Sequence, residues 1–204
     1  MKNLLITGFD PFGGESINPS WEAVSRLPQT IGQYQLTKLQ IPTVFGEAAK
    51  VVLDTSAQLQ PDVIICVGQA GGRRGITPEV IGINLRDASI PDNAGVTPAN
   101  MPVIPGGPDG LFATVPVREM VAALRRAEIP AALSYSAGAF VCNDVLYTLL
   151  HHFRDSSTLV GFIHVPFLPQ QAGEKVPSLP LETIIQGLTL AIQEIGRASC
   201  RERV

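Results

Sequence analysis

Three residue types that together make a nucleophilic site stand far apart in this chain: Cys142, His164 and Glu79. Cys142 lies in SYSAGAFVCNDVLY, between an apolar run and an amphipathic stretch. The small residues Ser136, Ala137 and Gly138 let the chain bend sharply after that run, which places Cys142 at or near a helix N-terminus. First-turn N–H groups carry partial positive charge, so they stabilise a thiolate and can hold a developing oxyanion. A small thiol filling core space is the competing reading, and the commoner fate of a cysteine. Cys66, inside the β-branched run VIICVG, reads as such a packing thiol.

Three histidines are available as a base. His151 and His152 fall about ten residues beyond Cys142 on the same helical pattern, roughly 15 Å away at 1.5 Å per residue, too far for a hydrogen bond. They fit a helix C-terminus as solvated groups. His164 ends the apolar run LVGFIH before Val165-Pro166 and emerges where a strand ends. If neighbouring strands run parallel, it shares one sheet edge with Cys142; a hydrogen-bonded core histidine is the alternative. Glu79, in ITPEVIGINL, is flanked by apolar strand residues and suits a fixed partner such as an imidazole. An edge-strand surface glutamate is equally compatible, and Asp62, Asp87, Asp92 and Asp144 are rival acids that spacing does not exclude.

The elements that must position these groups are legible in outline. Apolar runs at 4–7, 63–67, 131–134 and 159–164 read as buried strands; helical spacing covers 21–27, 44–59, 117–127, 141–153 and 181–195. Segments 35–41 and 78–85 add mixed or edge strands. Strand–helix alternation predicts a single-domain α/β/α sandwich with a largely parallel, mixed sheet. Asn18-Pro19 marks one helix start, and Thr43 is a candidate cap for the next. Residues 86–109, rich in Pro, Gly and Asn, form a long loop of the kind that covers a site.

Composition agrees with that class. The chain has 204 residues, enough for one large core; 45% are hydrophobic and 16% charged, as suits a sheet buried on both faces. Some of the apolar surplus is expected to be buried between subunits. Net charge is -3 with scattered basic residues, against a nucleic-acid or anionic-membrane partner. No apolar run approaches the ~18 residues of a membrane span, and MKNLLITGFD reads as a first strand rather than a signal peptide. Three widely spaced cysteines suggest neither a disulfide framework nor a zinc site, and point to a reducing cytoplasm. The ending IGRASCRERV lacks an apolar face and resembles a translated sequencing adapter, so residues 1–194 are taken as the domain and 195–204, with Cys200, as a non-native tail.

Glycine-rich turns follow two strands. GFDPFGGESINPSW offers Phe9 and Phe12 as flat walls for a small ring, and VGQAGGR offers the amide of Gln69. Neither is a GxGxxG or a P-loop, and no lysine follows the first, so phosphate cradling is a weak reading.

Taken together, TGFDPFGG, NPSWEA, IPTVF, DVIICVGQAGGR, ITPEVIGINL, IPDNAG, SYSAGAFVCN and GFIHVPFLP resemble the pyroglutamyl peptidase I (pyrrolidone-carboxylate peptidase) family over most of the chain. The resemblance implies a Glu79–Cys142–His164 triad, a cysteine peptidase removing N-terminal pyroglutamate, a homotetramer, and no metal or other cofactor. It also implies a ring pocket formed by Phe9, Phe12, Asn18, Phe140 and Val141, with Gln69 in or beside it. Ala139 stands where such proteins commonly carry a small hydroxyl residue. The lactam ring has no charged amine, so aromatic walls and a few amide bonds would suffice to hold it. A phosphorylase-like enzyme, dependent on phosphate, and a binding module without turnover are the rival readings.

Overall fold

The computed structural model describes residues 1–173 and 175–201, with side chains as far as Arg197. Its elements are β1 (Lys2–Phe9), α1 (Pro19–Arg26), β2 (Thr30–Ile31), β3 (Tyr34–Ile41), α2 (Glu47–Leu59), β4 (Val63–Gln69), β5 (Thr77–Pro78), β6 (Ile81–Ile83), β7 (Gly110–Phe112), α3 (Val117–Arg126), α4 (Val141–His152), β8 (Leu159–Val165) and α5 (Leu181–Arg201). The main sheet has the order β2-β3-β1-β4-β8-β5. Its four central strands are parallel, and the two-residue strands β2 and β5 run antiparallel at the edges. This is the mixed, largely parallel sheet expected from strand–helix alternation.

Alternation along each strand divides the core in two. Leu4, Ile6, Val63, Ile65, Val67, Ile163 and Val165 pack with residues of α1, α3 and α5. Leu5, Phe9, Ile64, Cys66, Val160 and Phe162 pack with α2 and α4. The second face carries the site: by the same period-2 rule Gly68 follows Cys66, and His164 follows Phe162, toward α4.

Several expectations are corrected. Residues 131–134 are not a buried strand; Ala132 is exposed, and only isolated parallel bridges join Ala131 to Ile76 and Ser134 to Glu79. Pro78 and Pro130 lack the N–H groups that a regular ladder needs there. Segment 78–85 is split: Thr77–Pro78 closes the sheet edge, while Ile81–Ile83 turns away to pair with Gly110–Phe112, a strand the sequence pattern missed. Segment 35–41 takes the mixed rather than the edge alternative: β3 lies between β1, to which it is parallel, and β2, to which it is antiparallel.

Thr43 does not cap α2. That helix starts after Gly46 at φ 75° without a side-chain cap, and the Thr43 hydroxyl bonds Asp10 instead. Asn18 does cap α1, accepting the Ser20 N–H at 3.1 Å before Pro19, a device of about 1 kcal/mol. Helix α5 runs on past residue 195: Ile195 is fully buried, and the Gly196 carbonyl accepts from the Gln33 amide. The Cys200 side chain and residues 202–204 lie outside the described residues. Among the described residues no helix is long and apolar enough to cross a membrane.

Candidate active site

The parallel strands β1, β4 and β8 end together, at Phe9, Gln69 and Val165, on the edge where open α/β sheets place their ligands. Helix α4 begins there too. Its N-cap residue, Phe140, has extended backbone and supplies no side-chain cap, so the first-turn N–H groups are left for other acceptors. Gly138, at φ 78°, makes the left-handed bend that starts the helix in this place. Cys142 is the second residue of that helix.

His164 is 3% exposed and Glu79 fully buried. Their side chains meet, with Nδ1 of His164 2.6 Å from Oε1 of Glu79. An ionised carboxylate only accepts, so Nδ1 carries the proton and Nε2 is the free acceptor. Cys142 approaches from the helix. Its Sγ lies 2.9 Å from the point where a Cβ would stand on Gly68, and Gly68 is the register partner of His164 in the β4–β8 ladder. A thiol, an imidazole and a carboxylate therefore share one face and one edge of the sheet, although 63 and 85 residues separate Glu79 from Cys142 and His164.

The rival acids are employed elsewhere. Asp62 accepts the Asn3 N–H, Asp87 the Asn100 N–H, and Asp92 the N–H groups of Phe45, Ala94 and Val96. Asp144, fully buried, accepts the Gly46 N–H at 2.8 Å and pairs with Arg86 at 2.6 Å, tying the start of α4 to α2 and to the long loop. Next to it, Asn143 exchanges hydrogen bonds with both backbone groups of Ile83. His151 sits at the far end of α4 against Arg154.

The electrostatics differ from the expectation in one respect. Burial, reinforced by the Glu79 carboxylate and Cys66, pushes the Cys142 thiol up to about 12; Arg73 and the Cys142 N–H act the other way without prevailing. The helix N-terminus does not by itself make a resting thiolate. Burial likewise lowers His164 below its ordinary 6.5, although Glu79 opposes this. For Glu79 burial would raise the pKa, but the imidazole and Arg73 together hold it below 4.5. These directions favour a protonated thiol, a neutral imidazole and a carboxylate anion in the resting site. Cys66, fully buried, is also pushed up to about 12, as befits a packing thiol.

A pH prediction follows. In the unfolded chain His164 binds its proton near 6.5; in the folded chain it does so only at lower pH. Between those values the unfolded state holds more protons, so stability falls as the solution is acidified, by up to ~1.4 kcal/mol per pH unit for this group. Urea unfolding between pH 6.5 and 5.5 is expected to show a shallower pH slope in His164→Gln than in wild type. Equal slopes would mean that His164 titrates alike in both states.

Aromatic residues gather around Phe140, two positions before Cys142. Phe140 contacts Phe12 at 6.0 Å between ring centroids and Phe45 edge-on at 5.2 Å. Phe9 is 2% exposed and packs on Phe162, which in turn packs on His164. Val141 is fully buried in the same cluster. Asn18 is 2% exposed, and its amide is spent on the Asp10 carbonyl and on Ser20, which holds the first loop in place. The Gln69 side-chain oxygen accepts from Gln171 at 3.1 Å. Sequence reasoning missed Phe45, Arg86 and Arg73. IPTVF and VGQAGGR contain two of them, but no spacing rule marks an arginine as the partner of a buried carboxylate six or 58 positions away.

The α/β fold thus gathers at one sheet edge a thiol, an imidazole and a carboxylate, the group types that a cysteine peptidase uses. Comparison with known proteins makes the assignment specific: the family model for pyroglutamyl peptidase matches residues 2–198, and the chain belongs to that family. It is 49% identical over 195 residues to the pyrrolidone-carboxylate peptidase of Erwinia tasmaniensis, covering 94% of this chain and 92% of that one. The pyrrolidone-carboxylate peptidase of Thermococcus onnurineus is 48% identical, covering 93% and 96%. Among solved structures, pyroglutamyl peptidase I of Bacillus amyloliquefaciens is 45% identical with a TM-score of 0.91, covering 94% of this chain and 95% of that one.

Proposed function

We propose that this chain hydrolyses the bond following an N-terminal pyroglutamyl residue of peptides, with Cys142 as nucleophile, His164 as general base and acid, and Glu79 orienting the imidazole. The observation that carries the reading is the buried His164–Glu79 hydrogen bond on the sheet face that Cys142 meets across Gly68. Because the resting thiol is protonated, its proton passes to Nε2 of His164 as sulfur attacks the carbonyl carbon of the pyroglutamyl residue. The oxyanion forms against the uncapped first-turn N–H groups of α4. As the C–N bond breaks, the imidazolium gives its proton to the departing amine, leaving a thioester on Cys142. Water, deprotonated by His164, then cleaves the thioester, releases pyroglutamate and restores the thiol.

Phe12, Phe140 and Phe45 supply the flat apolar walls for the uncharged lactam, with Phe9 and Val141 packed behind them and Asn18 and Gln69 fixing the surrounding loops. The same reading places the enzyme in a reducing cytoplasm as a homotetramer; exposed Phe112 and Tyr135 are apolar side chains available for subunit contacts. It also keeps residues 195–204 as a non-native ending, outside the catalytic argument. The test is release of a fluorescent amine from pyroglutamyl, prolyl and glutamyl amides. Hydrolysis of the first is expected to exceed that of the other two by at least ~10²-fold in kcat/KM, without metal or phosphate. Comparable turnover of the glutamyl amide, or dependence on phosphate, would refute it.

A further inference from the structure

Glu79 is an anion with no exposed surface, and in the resting site the imidazole beside it is neutral, so its charge needs another partner. Arg73 is that partner. Its Nη1 lies 2.7 Å from Oε1 of Glu79, the same oxygen that accepts from Nδ1 of His164. Its Nη2 donates to the Ser136 carbonyl at 3.0 Å, in the turn that leads to Gly138 and the start of α4. Arg73 also bonds the Thr77 hydroxyl. One guanidinium thus joins the loop after β4, the segment between β5 and β6 that carries Glu79 and the turn before Cys142, while its side chain remains 27% exposed.

From this geometry we infer that Arg73 is a positioning residue for the reaction: it holds Glu79 ionised while His164 is neutral, and so keeps the imidazole free to take the thiol proton. A carboxylate with no second cation would draw a proton onto His164 and keep it there as a resting imidazolium, blocking Nε2 as a base. With Arg73 in place, Glu79 divides its charge between guanidinium and imidazole, and His164 retains its low proton affinity. The titratable groups facing this cluster are Glu79 from β5–β6, Arg73 from the loop after β4, Cys142 from α4 and Cys66 from β4; Asp144, close in sequence to Cys142, is neutralised by Arg86. The inference rests on the catalytic roles proposed above, but the resting proton balance can be read without turnover.

The experiment compares Arg73→Met with Arg73→Lys by ring-labelled histidine NMR, using His164→Gln to assign the His164 signal, alongside pH profiles of kcat/KM. In Arg73→Met both the His164 titration and the acid limb are expected to move up by about one pH unit, with kcat falling several-fold and KM little changed. In Arg73→Lys, which keeps the charge, both should stay near wild type. Should Arg73→Met fail to fold, Arg73→Gln supplies the neutral arm. An unmoved His164 titration in a folded neutral variant overturns the inference, as does equal loss of activity in charged and neutral variants with unshifted limbs. Absence of pyroglutamyl hydrolysis in wild type would instead strike the proposed function and leave the titration readable.

Discussion

Replacing Cys142 with serine is expected to lower kcat for a pyroglutamyl amide by on the order of 10⁴-fold or more, with the fold intact. The exchange changes one atom in a position already enclosed by α4 and the sheet, so packing is almost conserved. What it removes is an acid that His164 can deprotonate. A buried imidazole with lowered proton affinity is a weak base, adequate for a thiol during attack and inadequate for a far less acidic hydroxyl. The same logic predicts the labelling pattern. Iodoacetamide is expected to inactivate wild type by modifying Cys142, which is partly exposed, and to leave Cys66 untouched in the folded protein. Peptide mass spectrometry locates the adduct. More than about 1% residual kcat in Cys142→Ser, or inactivation that tracks modification of Cys66, would remove Cys142 from the nucleophile's role.

The residues proposed as nucleophile and base stood out in the sequence because each lies where one pattern gives way to another. Cys142 follows a run of small turn residues at a helix start, and His164 closes a β-branched strand before a proline; in a parallel sheet both transitions fall on one edge. Glu79 was readable only as one acid among five. A carboxylate's partner depends on which strands become neighbours, and the β5–β8 pairing that brings Glu79 to His164 is two residues long and antiparallel. No periodicity signals a strand that short. The misreading of residues 131–134 has the same origin: an apolar run looks like a buried strand unless its partner segment is known to be interrupted by Pro78.

The net proton affinity of the thiol was not legible in the sequence for a different reason. Helix position is visible in sequence, whereas burial by Phe162, Phe140 and the sheet is a tertiary quantity, and here it outweighs the helix end. Arg73 and Arg86 show the limit most plainly. Each neutralises a buried carboxylate six or 58 positions away, and neither spacing belongs to a helix or strand repeat. Buried charge pairs are fixed by three-dimensional closure, so a sequence reveals that an acid needs a partner without revealing which cation supplies it.

Gly68→Ala carries the second large effect, and its cause lies in the ladder. Gly68 pairs with His164 and faces α4, where an added Cβ would stand 2.7 Å from Cζ of Phe162 and 2.9 Å from Sγ of Cys142. Real Cβ atoms do not tolerate either approach, so one or both neighbours must shift. Phe162 is 1% exposed and wedged between Phe9 and His164, which leaves it little freedom; the sulfur, at the rim of the site, is the softer obstacle. Overpacking is expected to cost about 1–3 kcal/mol of stability. Displacing sulfur from His164 is expected to lower kcat by about 10²-fold at temperatures where the variant is fully folded, since reacting groups misplaced by about 1 Å lose that much. Iodoacetamide labelling of Cys142 should slow in parallel, because it needs the same base. Gly173→Ala is the control: among the described residues, its chain neighbours aside, no atom lies within 4 Å of its added Cβ, and both stability and kcat are expected to remain at wild-type values. If Gly68→Ala loses stability yet keeps its kcat, the sulfur has moved without cost, and the close approach of β4 to α4 serves packing alone.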